Sequence, residues 1–340
     1  MSPRLFIRIV HRYYNIGHKS SSFMLHPLCS ITTKFAMAEL KFPKTLQEFG
    51  YGFDSGGKLR KLDPSVGTPT NEGFEFNVSD DPHYNQKHYE ALGEIINNYV
   101  YELLEKEGLK RLPVPKNSTK PLNMRTFIFA TEDAFENEKL IILIHGSGVV
   151  RAGQWARRLI INDNLATGTQ IPYVRKAKEL GYGIIVLNTN DNHRIINGKP
   201  CKIEGSEDPH KHMEKVWMDY IKPSKANYIA IIAHSYGGEC TVKFGITHVE
   251  EFKERVFAVA LTDSVHIAPK GFEHVVKVSR NWACSEKPLD APVLSLSGDI
   301  ERVSAGHTVH EMSSSSCMES LFKFIENRYK LSTNATRSDK

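Results

Sequence analysis

The apolar run Tyr228-Ile229-Ala230-Ile231-Ile232 passes directly into Ala233-His234-Ser235-Tyr236-Gly237-Gly238. A buried strand that ends in x-His-Ser-x-Gly and opens into a helix has the pattern of a nucleophile elbow. There a tight strand-to-helix turn holds a serine hydroxyl up at the sheet edge. Ser235 is the serine in that position. Gly237 lets the helix pass close to the strand, where a Cβ would clash. This short stretch therefore constrains fold, nucleophile and reaction class together.

The surrounding chain alternates strands and helices. Strands are expected at Thr126–Ala130, Leu140–Ile144, Gly183–Leu187, Tyr228–Ile232, Val256–Leu261, and either Pro292–Leu296 or Arg302–Ala305. Helices are expected at Trp155–Ile161, Ile171–Leu180, Met213–Ile221 and Gly238–Val249, with a closing amphipathic helix at Met318–Tyr329. Runs such as Leu-Ile-Ile-Leu-Ile are continuous rather than alternating. That fits strands covered by helices on both faces, hence an α/β fold with a mostly parallel sheet. Ahead of it, Phe49–Phe53 and Lys58–Leu62 flank the turn Asp54-Ser55-Gly56-Gly57 and read as a small hairpin. Gly73–Val78 adds a short alternating stretch. Tyr89, Leu92, Ile96, Tyr99, Val100, Leu103 and Leu104 then recur at helical spacing, with Gly108 as the C-cap.

With 340 residues, 40% of them hydrophobic and 24% charged, the chain can bury one large core. We expect one domain over 41–330, a basic arm over 1–40 and a flexible polar tail over 331–340. The arm carries Arg4, Arg8, Arg12, Lys19 and Lys34 and no acidic residue before Glu39. That is the composition of a mitochondrial transit peptide, and equally of a disordered arm or of a leader upstream of a start at Met37. A net charge of +5 is too mild to imply nucleic acid by itself. No apolar run is long enough to span a membrane. Five scattered cysteines without a C-x-x-C pair point to reduced thiols inside a cell.

A serine hydroxyl needs a base, an acid to orient that base, and donors for the oxyanion. The donors are expected from Leu143-Ile144-His145-Gly146-Ser147-Gly148, a glycine turn after an early strand, together with the N–H of Tyr236. Gly146, Ser147 and Gly148 form that turn. For the acid, Asp263 follows the strand after the elbow and is favoured over Asp299, which follows another apolar run. For the base, His310 stands late in the chain, as the order serine, acid, histidine requires. His307 lies three residues away, and His266 lies close to Asp263. Fifteen histidines leave most of them in ordinary roles.

Other chemistries find less support. His210-x-His212 lies in a polar loop with Glu204, Glu207 and Asp208, and no His-Glu-x-x-His or zinc-spaced cysteine pair accompanies it. No metal or cofactor is expected, and a Walker phosphate loop is missing. Arg151, Arg157 and Arg158 read as a basic helix face, by default only solvated and otherwise open to an anion or a protein partner.

Several long blocks resemble one known family. They are Tyr89-Glu90-Ala91-Leu92-Gly93-Glu94-Ile95-Ile96, the stretch from Leu143 through His145-Gly146-Ser147-Gly148 and Gln154-Trp155 to Asn162, Ala233–Gly238, and Ala260–His266. Over about Phe42 to Glu326 they are similar to the cotranscriptional regulators that carry the Arb (Argonaute-binding) domain. The resemblance implies an α/β-hydrolase-like domain, association with Argonaute and with chromatin-remodelling or splicing proteins, alternative splicing, and small-RNA-directed heterochromatin. It implies work in the nucleus and cytoplasm, with RNA reached only through protein partners. The family serine matches Ser235 and the late family histidine matches His310; Asp263 lies in a matching block. Asn188–His212 is short against the family's charged insertion, and neither end matches the family pattern. The chain thus reads as a paralogue or divergent isoform.

Overall fold

The structure is a computed structural model that describes residues 41–338. The basic arm expected over 1–40 lies outside the described residues. Everything below concerns the compact unit that begins at Phe42.

The N-terminal hairpin is present, as β1 (Tyr51–Phe53) paired with β2 (Leu59–Lys61). Gly73–Val78 forms no strand. Helix α1 (Pro82–Lys106) starts where Asp81 accepts from the His83 N–H and Pro82 supplies a fixed φ. Its stripe Leu92, Ile96, Val100 and Leu104 is fully buried. Each such side chain contributes about 1.5–3 kcal/mol by burial. Leu92, Ile96 and Val100 pack with the hairpin's Tyr51 and Leu59 and with Ile160 and Ile161 into one core cluster, while Leu104 joins the core beside the sheet.

Eight strands form the main sheet: β3 (Lys110–Val114), β4 (Thr126–Ala130), β5 (Lys139–Ile144), β6 (Gly183–Val186), β9 (Tyr228–His234), β10 (Val256–Thr262), β11 (Ser279–Ala283) and β12 (Glu301–Ser304). Their spatial order is β3-β4-β6-β5-β9-β10-β11-β12. Only β4 runs against its neighbours. Along β9, Ile229, Ile231 and Ala233 belong to one core cluster, while Ala230 and Ile232 belong to another. Both faces are therefore covered, which explains the continuous apolar runs. The fold is α/β-hydrolase-like.

Several elements differ from the sequence reading. β3 and β11 were not expected; of the two alternatives for the last strand, Arg302–Ala305 corresponds to β12, and Pro292–Leu296 contributes only an isolated bridge from Pro292 to Val303. The 188–212 segment contains a hairpin, β7 (His193–Ile196) with β8 (Lys199–Lys202). The helix expected from Trp155 is the short α2 (Arg157–Asn162), followed by α3 (Leu165–Gly168) and α4 (Ile171–Glu179). Helix α5 (Pro209–Val216) continues as a π-helical turn over Trp217–Ile221. Helix α6 (Tyr236–Thr247) leaves the elbow, and α7 (Val249–Arg255) and α8 (Glu273–Val278) follow. The closing helix α9 (Ser313–Ser338) is longer at both ends than expected, and Cys317, Leu321, Phe322 and Ile325 form its buried face.

Candidate active site

Strand register brings the site together. Thr262 is level with His234, and Trp282 with Thr262. Ser235, Asp263 and the segment leading to Cys284 therefore leave parallel strands at one carboxyl edge, where open α/β sheets bind ligands. Ile144 is level with Ala233, so the turn after β5 meets the elbow.

Ser235 sits at φ 52°, ψ −118°. A non-glycine residue in that region stores about 1–3 kcal/mol of strain. The surroundings hold it there: its N–H donates to the Thr262 carbonyl at 3.0 Å, and its own carbonyl accepts from the Gly238 N–H at 3.1 Å. Two close approaches need glycine. A Cβ on Gly237 would stand 2.6 Å from the His145 carbonyl oxygen and 2.8 Å from that of Ile144. A Cβ on Gly146 would stand 3.0 Å from the Ser235 Cβ.

The His310 Nδ1 lies 2.7 Å from Asp263 Oδ2. An ionised carboxylate only accepts, so Nδ1 carries the proton and Nε2 of the neutral ring keeps its lone pair. The other carboxylate oxygen, Oδ1, accepts from the Cys284 N–H at 2.9 Å. Burial alone would raise the Asp263 carboxyl. The hydrogen bonds from His310 and Cys284 outweigh it together and hold the group at about 2. Asp263 is thus charged at any physiological pH.

His234, the residue before Ser235, is a neighbour of the candidate site to which the motif reading gave no role. It is buried, with Nδ1 2.9 Å from the Thr262 carbonyl oxygen. Burial and the neighbouring His310 push it down to about 3, so it is a neutral wall. Its ring centroid lies 4.6 Å from that of His310.

The Gly146–Gly148 turn is tied from behind. Asn190 Nδ2 donates to the Gly146 carbonyl at 2.9 Å, and His145 Nδ1 lies 2.8 Å from the same oxygen. In a trans peptide the Ser147 N–H points opposite to that carbonyl, away from His145 and Asn190. Ser147 and Gly148 are exposed. Tyr236 opens α6, which sets its N–H at the positive end of the helix dipole.

One link stays open. The hydrogen bonds of Ser235 are made by its backbone, and among the described residues none joins its Oγ to His310.

The competing residues go elsewhere. Asp299 meets His266 Nε2 at 3.2 Å, and His266 Nδ1 lies 2.8 Å from Ser264 Oγ. His307 Nδ1 accepts from the Val309 N–H at 3.0 Å. His210 and His212 also part: the first meets Tyr236 Oη at 3.1 Å, the second accepts from the Asn188 N–H at 3.2 Å. The expected basic face dissolves. Arg157 is buried and donates to the Val149 carbonyl and to Asn97, while Arg158 pairs with Glu311. Donor atoms of Asp263, Cys284 and His310 lie within 4.8 Å of one another.

The Arb2 domain family matches residues 42–289. The chain belongs to the Arb2 domain family. Ser235 and Asp263 of this Arb2 protein fall inside the matched residues, and His310 lies beyond them. It is 40% identical over 343 residues to the cotranscriptional regulator ARB2A homolog of Gallus gallus, covering 84% of this chain and 81% of that one. With the cotranscriptional regulator ARB2A of Homo sapiens it shares 39% identity, covering 88% and 84%. Among solved structures, that of the histone deacetylase Clr3 is similar at a TM-score of 0.49 and 15% identity, covering 77% of this chain and 42% of that one.

Proposed function

We propose that this chain is a cotranscriptional regulator. Its partners are Argonaute and chromatin-remodelling or splicing proteins, and its setting is the nucleus, with a cytoplasmic pool. The observation that carries this reading is the 39–40% identity to proteins named cotranscriptional regulators over more than four-fifths of each chain. RNA enters through the partners. Among the described residues, no helix is long and apolar enough to cross a membrane. Recovery of an Argonaute protein with the full chain from nuclear lysate tests the partner. A chain found only outside nuclei would contradict the reading.

A second reading rests on the 2.7 Å contact between His310 and Asp263 beside a strained Ser235. It is serine hydrolysis of an ester, thioester or amide. Ser235 Oγ attacks the carbonyl carbon while His310 Nε2 takes its proton. Asp263 holds His310 in the right tautomer and stabilises the charged ring. N–H groups of the Gly146–Gly148 turn and of Tyr236 hold the oxyanion. Removing one such donor typically slows turnover ~10²–10³-fold. The tetrahedral adduct collapses, His310 returns the proton to the leaving group, and water attacks the acyl-serine by the same route. A serine-directed fluorophosphonate should label the wild type and not Ser235→Ala. Equal labelling of both would overturn the assignment.

A further inference from the structure

Cys284 is not needed as a side chain by either reading above, yet its thiol stands beside the base of the second reading and the carboxylate that orients it. Asp263 follows β10, Cys284 follows β11 and His310 follows β12, so three adjacent strands deliver a carboxylate, a thiol and an imidazole to one place. Donor atoms from the three lie within 4.8 Å of one another. His310 turns its Nδ1 to Asp263 Oδ2. Asp263 Oδ1 is steadied by the Cys284 N–H, the kind of outer bond that fixes a metal-ligating carboxylate.

We propose that Asp263, Cys284 and His310 form a zinc site that switches the general base off. The donor set decides the ion. A thiolate with an imidazole selects zinc over magnesium or calcium, which take oxygen ligands. Around tetrahedral zinc, with bonds of roughly 2.0–2.3 Å, donors stand roughly 3–4 Å apart, so only small side-chain shifts are required. The His310 and Asp263 side chains are 41% and 22% exposed, which leaves the ion a path in and room for a water as fourth ligand.

The chemical consequence follows from the tautomer. Zinc takes the lone pair of Nδ1, so the ring proton moves from Nδ1 to Nε2, through solvent. The Cys284 thiol gives up its proton to solvent, and Asp263 binds through a carboxylate oxygen. One proton is released in total, and no electron is transferred. His310 then carries N–H at Nε2 and has no lone pair left for the Ser235 hydroxyl. The ion also occupies the place of the Asp263–His310 hydrogen bond. This off-switch rests on the hydrolase reading; the metal site itself does not.

The test uses the full chain with Co2+ and Zn2+ as probes, beside Cys284→Ala. Co2+ should give a thiolate charge-transfer band in the wild type that is missing in Cys284→Ala, and Zn2+ affinity should fall by tenfold or more, as at least roughly expected for a lost ligand. Excess Zn2+ should suppress fluorophosphonate labelling of the wild type, and a chelator should restore it. In Cys284→Ala the ratio of labelling with and without Zn2+ should stay near one. A Co2+ spectrum without a thiolate band, or one unchanged by the substitution, would overturn the site. A Cys284-dependent band in protein that never labels would keep the metal site and remove the hydrolase reading. Labelling of the wild type that Zn2+ leaves untouched, with the band present, would overturn the switch.

Discussion

His310 Nδ1 and Asp263 Oδ2 stand 2.7 Å apart although 47 positions separate them in the chain. Parallel register makes the contact: β10, β11 and β12 run side by side, so the loops after the first and last open at the same edge. The carboxylate sets the proton on Nδ1, which leaves the lone pair on Nε2; in the hydrolase reading that nitrogen is the base. Asp263→Asn keeps an oxygen for the Cys284 N–H but no longer enforces that tautomer. Hydrolysis of an activated ester should fall by ~10²–10⁴-fold with the thermal midpoint nearly unchanged. Full activity in Asp263→Asn would contradict the role.

Strain at Ser235 has a measurable sign. Its φ of 52° suits glycine and penalises any side chain. Ser235→Gly should therefore be more stable than Ser235→Ala by about 1 kcal/mol in chemical denaturation, while both lose labelling. An alanine variant equal to or more stable than the glycine variant would show that the turn relaxes.

Gly237 tests the packing of the elbow. A methyl group there meets two backbone oxygens at 2.6 and 2.8 Å, which cannot turn aside as a flexible side chain would. Gly237→Ala should cost about 1–3 kcal/mol by overpacking. It should also weaken labelling, because α6 carries Tyr236 and moves with the displaced strand end. A neutral effect on stability would mean that the helix stands further from β5 than found.

Acid should unfold the protein through its buried histidines. Burial pushes His145 down to about 4, and His212 and His234 down to about 3. Each folded value lies below the unfolded value of roughly 6.5, so the unfolded chain binds more protons in that window. Their contribution is fully present above about pH 6.5 and is lost as pH falls toward the folded values, at up to about 1.4 kcal/mol per pH unit for each histidine. Thermal midpoints across this range should fall steadily, and His212→Gln should flatten the slope by one residue's share. A flat profile in the wild type would contradict the buried neutral state.

The elbow and the all-apolar strands were legible because both depend on local chemistry: a glycine after the serine, and runs such as Ile229–Ile232 with no polar face. β3 and β11 were not. Lys110-Arg-Leu-Pro-Val and Ser279-Arg-Asn-Trp-Ala carry charges and polar groups, and their strand character comes from pairing with neighbours. The β7–β8 hairpin had its signal in Asn197-Gly198, whose φ values of 50° and 74° are those that Asn-Gly turns favour, between Ile195-Ile196 and Lys199. Asp263 and Asp299 each follow an apolar run, and spacing alone does not separate them. The separation comes from the sheet: Asp299 precedes β12 while His310 follows it, and Asp299 meets His266 instead. Cys284 stayed hidden because only the folded strand ends bring it beside His310, and the place of His234 against the His310 ring, though His234 stands in the elbow motif, comes from the same packing.

The most direct test of the catalytic account is fluorophosphonate labelling of the full chain beside Ser235→Ala and His310→Ala, each with its thermal midpoint. The account predicts a labelled wild type, no label on Ser235→Ala, and labelling of His310→Ala slowed by about 10²-fold or more, with all three folded. A folded wild type that takes no label, or a His310→Ala variant that labels as fast as the wild type, would contradict an activated Ser235.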